Sequence, residues 1–142
     1  MSCSCCSEKK TFASDKAPKA IGPYSPAVQA HGMTFISGQG GINPATGKLA
    51  EGGVEAETRQ VLTNVKNLLE AAGTSLDNVV KTTVFLRDMA DFSKMNAVYA
   101  EFFTQQPPAR PTIQAAALPM GIAVEIEAIA IVPCDCDCCK DE

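Results

Sequence analysis

The chain predicts an α+β fold, a mixed sheet of about four to six strands with two helices on one of its faces. Three observations predict it. Apolar residues recur at helical spacing through residues 54–72 and again through 92–103, and they alternate with polar residues through 78–86 and 124–131. The elements then follow in the order strand, strand, helix, strand, helix, strand, strand. With 142 residues, of which 46% are hydrophobic, the chain has enough apolar material for one domain with a single core.

Residues 1–16 are polar and cysteine-bearing and are expected to form a flexible arm ahead of a domain over 17–133. At Ala20-Ile21-Gly22-Pro23-Tyr24-Ser25-Pro26, two prolines and a glycine constrain an extended loop. Tyr24 is there either as an anchor on the core edge or as a ring and hydroxyl lining a pocket. Ala27–Ala30 and Met33–Ser37 flank His31-Gly32, a two-residue turn that predicts a β-hairpin. His31, the single histidine, then sits at the solvent-facing tip, which removes the commonest general base from the candidates. Ser37-Gly38-Gln39-Gly40-Gly41 follows the second strand. It fits no nucleotide-binding pattern. Its glycines predict either a bulge or a strand end that lets a ligand approach the backbone.

Val54–Ala72 is expected as a helix, with Val61, Val65, Leu68 and Ala72 on one stripe, acidic residues in the first turn and Gly73 as the stop. Asn78–Leu86 is expected as a strand, with Val80, Thr82, Val84 and Leu86 on one face and Lys81 and Thr83 on the other. Asp88 or Asp91 caps a second helix running to Thr104, with Phe92, Met95, Tyr99, Phe102 and Phe103 as its buried stripe and Asn96 at the border. The stretch 107–131 closes the domain as two short strands joined through Leu118-Pro119-Met120-Gly121. Arg110, Thr112 and Gln114 share one face of the first. In the second, Val124, Ile126, Ala128 and Ala130 are apolar together, and Glu125 and Glu127 point the other way.

Charges alternating along a strand mark either a solvated sheet face or rigidly held groups for a small charged ligand. Ile129 and Ile131 share parity with the two glutamates, so that face is partly apolar. Two helices cover only one side of the sheet, and the remaining half-apolar side predicts an oligomer, with Arg110, Glu125 and Glu127 at or near its interfaces. Arg110, flanked by Ala109 and Pro111, calls for a carboxylate or phosphate partner from the protein or a ligand.

The net charge of −4 discourages nonspecific nucleic-acid binding. No apolar run approaches a membrane span and the N-terminus carries no signal-peptide pattern, so a cytoplasmic location is expected, with an organelle such as the mitochondrion as the alternative. All seven cysteines lie at the ends: Cys3, Cys5 and Cys6, then Cys134, Cys136, Cys138 and Cys139 within an acidic tail over 134–142. The domain itself therefore contains no disulfide or thiolate metal site. For the tails, soft-metal binding, thiol redox chemistry, acylation and no role at all stay open.

Seven segments appear in order that are similar to one family: Ile21-Gly22-Pro23-Tyr24-Ser25-Pro26, Ile36-Ser37-Gly38-Gln39, Asn64-Val65-Lys66-Asn67-Leu68-Leu69, Val80-Lys81-Thr82-Thr83-Val84-Phe85-Leu86, Asn96-Ala97-Val98-Tyr99, Pro108-Ala109-Arg110 and Val124-Glu125-Ile126-Glu127-Ala128-Ile129-Ala130. They resemble the RidA (YjgF) family of enamine/imine deaminases over about residues 17–133. The resemblance implies a chorismate-mutase-like fold, a homotrimer with sites between subunits, and hydrolysis of 2-imino acids such as 2-iminobutanoate and 2-iminopropanoate to 2-oxo acids and ammonia, without a cofactor. It carries the carboxylate-binding arginine onto Arg110, the water-positioning glutamate onto Glu125 and the pocket tyrosine onto Tyr24, with Ser37, Gly38, Asn96 and Thr112 completing the pocket. Thr112 stands where many bacterial members have cysteine, and Pro111 departs from the pattern as well. Two other readings accompany the deaminase: a ribonuclease that limits translation, and a noncatalytic chaperone or metal-binding module.

Overall fold

In the computed structural model, which describes residues 7–133, six strands form one sheet. They are β1 (Lys10–Phe12), β2 (Ala27–Ala30), β3 (Met33–Gly40), β4 (Val79–Leu86), β5 (Thr112–Gln114) and β6 (Val124–Ile131). Their order across the sheet is β1-β2-β3-β6-β4-β5, antiparallel throughout except for the parallel pair β4–β5. Two helices, α1 (Gly53–Ala71) and α2 (Phe92–Phe102), pack on one face, and the architecture is the expected α+β with a mixed sheet. Among the described residues no helix is long and apolar enough to cross a membrane.

The hairpin β2–β3 forms as the sequence requires. Ala30 pairs with Met33, and His31 (φ 49°) and Gly32 (φ 73°) take the left-handed turn that matches strand twist. Strand β6 obeys its alternation: Val124, Ile126, Ala128 and Ala130 are buried under the helices, and Glu125, Glu127, Ile129 and Ile131 face the other way. In α1, Val61, Leu62, Val65, Leu68 and Leu69 are fully buried against β3 and β6, and Gly73 (φ 81°) ends the helix as expected. Each such side chain contributes about 1.5–3 kcal/mol by leaving water, and truncating Leu68 to alanine would cost about 2–5 kcal/mol.

The structure departs from expectation at several points, each with a local cause. Lys10–Phe12 lies in the segment expected as a flexible arm, yet pairs with β2 at the sheet edge. In β4 a bulge between Val79 and Lys81 shifts the alternation, so Val79 is buried (5% exposed) and Val80 is not (44%). Strand β3 runs through the glycine segment to Gly40, with a bulge between Ile36 and Gln39. A 3₁₀ turn at Met89–Asp91 precedes α2, and Asp88 caps that turn by accepting from the Ala90 N–H at 2.9 Å. The second helix therefore begins at Phe92 and ends at Phe102, short of Thr104. Its buried side chains are Met95, Val98 and Tyr99, with Phe103 buried just beyond, and Phe92 and Phe102 are only half-buried. Strand β5 begins at Thr112, so Arg110 precedes it and does not share a strand face with Thr112 and Gln114.

No described residue covers the second sheet face. Met33, Phe35, Ile113 and Ile131 are exposed apolar side chains, and Val80 lies out of the core beside the β4 bulge.

Candidate functional site

A cavity of about 650 Å³ opens where the loop around residues 17–26, the bulge of β3 and the start of β6 meet. Tyr24, Ser37, Gly38, Met120, Ile122 and Glu125 line it. The loop is pinned to β3: the Ser37 hydroxyl donates to the Ser25 carbonyl at 2.6 Å and the Ser37 N–H to the Pro26 carbonyl at 3.0 Å. The Tyr24 hydroxyl accepts from the Ile21 N–H at 3.3 Å, which turns the ring back over its own loop. On the other wall Met120 holds a left-handed conformation (φ 56°) that a non-glycine residue rarely adopts.

Glu125 is half-buried on this wall. Burial, and secondarily the charge of Glu127 two residues along the same face, pushes its carboxyl above the usual carboxylate range. Gly38 makes room for it. A Cβ on Gly38 would stand 2.9 Å from Glu125 Cδ and would collide with Oε1. Glycine in the bulge is thus required by the approach of the carboxylate; of the two alternatives read from the glycines the bulge is present, and the group that comes close to Gly38 is a side chain of the protein itself.

Arg110 lies elsewhere in the chain. Its guanidinium sits 4.5 Å from the ring centre of Tyr99 and 5.7 Å from that of Phe92, both associated with α2. It rests on aromatic faces, and among the described residues it has no carboxylate partner; the one ion pair there joins the exposed Arg59 and Glu101 at 2.5 Å. Tyr99 is fixed beneath it by a 2.7 Å hydrogen bond between its hydroxyl and that of the buried Thr82. Burial pushes the Tyr99 phenol up, opposed in part by that hydrogen bond and by the Arg110 charge. Thr112 follows on β5 opposite Val84, and its Oγ1 is buried without a hydrogen-bond partner. Asn96 is half-buried on α2.

The predicted residues therefore fall into two groups. Tyr24, Ser37, Gly38 and Glu125 share the cavity, whereas Asn96, Arg110 and Thr112 do not line it. The cysteines Cys134, Cys136, Cys138 and Cys139, like Cys3, Cys5 and Cys6, lie outside the described residues.

Two positioning residues escaped the sequence reading. Glu57 is a carboxyl on α1 with 5% exposure, and its Oε1 accepts from the buried Ala123 N–H at 2.8 Å, two residues before Glu125. Asn64, fully buried, donates to the carbonyls of Gly40 at 3.2 Å and Ile42 at 2.9 Å and so fixes the chain leaving β3. Gly41 lets α1 come close, since a Cβ there would lie 2.8 Å from Glu57 Cα. A signal existed: Glu57, Val61, Asn64 and Leu68 follow i, i+4, i+7, i+11 on one buried stripe, and a polar residue at such a position needs a partner.

The profile of the endoribonuclease L-PSP family matches residues 14–132. The chain is 52% identical to the 2-iminobutanoate/2-iminopropanoate deaminase of Mus musculus over 122 residues, 86% of this chain and 90% of the mouse protein. It is 51% identical to the RutC family protein PH0854 of Pyrococcus horikoshii over 122 residues, 86% of this chain and 97% of the relative. Among solved structures it is similar to E. coli TdcF with bound serine, at 40% identity and a TM-score of 0.84, covering 87% of this chain and 99% of that one.

Proposed function

From the chain's membership of the endoribonuclease L-PSP family, to which the RidA (YjgF) proteins belong, we propose that it hydrolyses 2-imino acids such as 2-iminobutanoate and 2-iminopropanoate to 2-oxo acids and ammonia. The observation that carries this reading is Glu125, a half-buried carboxylate with a raised proton affinity on the wall of an otherwise largely apolar cavity. The serine bound to TdcF agrees in chemical class, since serine, like a 2-imino acid, presents a carboxylate beside a nitrogen-bearing carbon.

The site is shared between subunits of a homotrimer in this reading. Three features support it: the uncovered apolar face, the separation of Arg110 from the cavity within one protomer, and the partnerless Thr112 Oγ1 beside it. Arg110 of one subunit grips the substrate carboxylate with two parallel N–H···O bonds, each contributing about 1.5–3 kcal/mol. The aromatic bed of Tyr99 and Phe92 fixes the plane of the guanidinium without neutralising it. Asn96 and Thr112 belong to that half, with Tyr24, Ser37 and Gly38 of the neighbour closing the other side.

Glu125 accepts a proton from water as the water oxygen bonds to the carbon of the protonated imine. It returns that proton to the nitrogen of the neutral carbinolamine, then takes the carbinol hydroxyl proton as the C–N bond breaks, the carbonyl forms and ammonia leaves; that last proton passes to ammonia or solvent and restores the carboxylate. A raised proton affinity suits Glu125 to these transfers, and general acid–base help of this kind is worth about 10²–10⁴-fold. The imine carbon is already electrophilic, so the reaction draws on no cofactor.

The test generates 2-iminopropanoate with an amino-acid oxidase in the presence of semicarbazide, which traps the imine as a chromophore. Wild-type protein suppresses trapping, and Arg110→Ala and Glu125→Gln do not. Folded wild type without effect on any imino acid tried would refute the proposal. The family's endoribonuclease description motivates a second reading. Under it, RNA cleavage would be lost in Arg110→Ala while imine trapping stayed unaffected by the wild type. The acidic balance of the chain and its lone, exposed histidine favour the deaminase.

A further inference from the structure

We infer that the Pro119–Gly121 turn, held in place by Arg87, selects the substrate by its side chain, and that Met120 favours 2-imino acids with a long, uncharged apolar side chain over 2-iminopropanoate; for the chemistry this rests on the imine hydrolysis proposed above. Ile21 is 79% exposed and Met120 67%, the highest values of any large apolar side chain among the described residues. Both line the cavity, Ile21 from the loop around residues 17–26 and Met120 from the other wall. Met33, Phe35, Ile113 and Ile131 are exposed as well, but they stand on the strands of the sheet. An apolar mouth over a site for a charged group suits a ligand that carries hydrocarbon beside its charge. The charged groups on the cavity wall besides Glu125 are Asp15 and Lys19, one of each sign, so they give no net preference for a charged side chain.

Spacing along β3 sets the length of that hydrocarbon. A Cβ on Gly38 would meet the Glu125 carboxyl, and one on Gly40 would lie 2.9 Å from Ile122 Cδ1. Residues two apart on a strand are separated by about 7 Å. With the imine carbon at Glu125, a methyl group therefore ends short of Ile122 and the adjoining turn, whereas a straight four-carbon side chain reaches them. The turn is also rigid. Pro119 fixes its own φ, and Met120 (φ 56°) and Gly121 (φ 64°) are both left-handed, a state that a methionine keeps only when its surroundings hold it. Arg87, the residue after β4, supplies the hold. Its Nη1 donates to the Gly121 carbonyl at 2.6 Å, and its N–H to the Ala123 carbonyl at 2.9 Å. Arg87 does not line the cavity, so it is a positioning residue that acts through Met120.

The test compares 2-iminopropanoate with 2-iminohexanoate, generated by an amino-acid oxidase from alanine and from norleucine, in the semicarbazide competition. Each methylene removed from water contributes about fourfold to affinity, so three extra methylenes are worth up to about 60-fold. At a mouth open to water on one side, wild type is expected to prefer 2-iminohexanoate at least tenfold in kcat/KM. Met120→Gln keeps the length of the side chain and should lower that ratio about tenfold, through KM for the longer substrate. Arg87→Ala should lower it at least threefold and Arg87→Lys should restore it, whereas mere loss of fold would depress both substrates together and leave the ratio unchanged. Titration calorimetry with the product acids, pyruvate and 2-oxohexanoate, reads the same preference without turnover. Wild type active on 2-iminopropanoate with a ratio near one, or a ratio that Met120→Gln or Arg87→Ala leaves unchanged, would overturn the inference and leave the deaminase reading standing. Wild type inert toward both imino acids would end the deaminase reading. Equal affinity for the two oxo acids would then overturn the inference as well, and tighter binding of 2-oxohexanoate, weakened in Met120→Gln, would uphold it.

Discussion

Replacing Glu57 by alanine tests how α1 holds the start of β6. The side chain is 5% exposed and satisfies the buried Ala123 N–H at 2.8 Å. Truncation removes that acceptor and leaves the buried Ala123 N–H without its partner. An orphaned buried donor costs about 1–3 kcal/mol, and the cavity adds to it. A loss of about 2–3 kcal/mol corresponds to a fall of roughly 6–10 °C in thermal midpoint for a chain of this size. Glu57→Gln keeps an Oε1 acceptor in the same place and is expected within about 1 kcal/mol of wild type. Urea unfolding at one fixed protein concentration measures both, since association would make the midpoint depend on concentration. Because Ala123 stands two residues before Glu125, the alanine variant should also lower kcat for imine hydrolysis while the glutamine variant keeps it. Equal stability of the two variants would refute the reasoning.

The other predictions concern the cavity and the arginine bed. Gly38→Ala forces the Glu125 carboxylate out of its position, so kcat/KM should fall by about 10²-fold or more with little change in urea midpoint; unchanged turnover would contradict the packing argument. The acid limb of the pH–rate profile should lie above the ordinary carboxylate range, because Glu125 must be ionised to take the water proton. Glu127→Gln should move that limb down, and a limb that stays put would remove Glu127 as a cause. Glu125 also sets a stability trend. A carboxyl with raised folded-state affinity binds more protons folded than unfolded, so its favourable contribution is full below its unfolded pKa and fades as pH rises through the folded one. Glu125→Gln should therefore gain stability relative to wild type at neutral pH but not at acid pH, as urea midpoints at the two pH values would show. Tyr99→Phe leaves the buried Thr82 hydroxyl without its partner and should cost about 1–2 kcal/mol by urea unfolding, while KM changes little because the ring under Arg110 remains.

Much of the protein was legible from local pattern. The parity of Val124 through Ile131, the His31-Gly32 turn and the stripe of α1 each follow from side chains a few residues apart, and all three appear in the structure. What local pattern could not carry was long-range pairing. Thr112–Gln114 joins β4 in parallel at the sheet edge, and nothing in 107–121 encodes that partner. The β4 bulge displaced Val80 because one extra residue inverts the alternation that identified the face. Lys10–Phe12 was hidden in a polar arm because a three-residue edge strand has too little alternation to register. The division of the candidate site had the same origin. Arg110 and Glu125 are fifteen residues apart in sequence, but their separation across the fold depends on the sheet order β6-β4-β5 and on α2 lying beneath Arg110. Glu57 and Asn64 were visible as polar residues on a buried stripe, yet their partners lie on distant segments.

The most direct test of the central claim is complementation between two inactive variants. Arg110→Ala and Glu125→Gln proteins are unfolded together in equal amounts, refolded as mixed oligomers, and assayed by semicarbazide trapping of 2-iminopropanoate. If each site takes its arginine from one subunit and its glutamate from the neighbour, random mixing in a closed ring restores about one quarter of the sites. Recovery near that fraction, absent when the variants are mixed without unfolding, is the predicted result. Mixed oligomers that form but stay inactive would contradict a site built from two subunits.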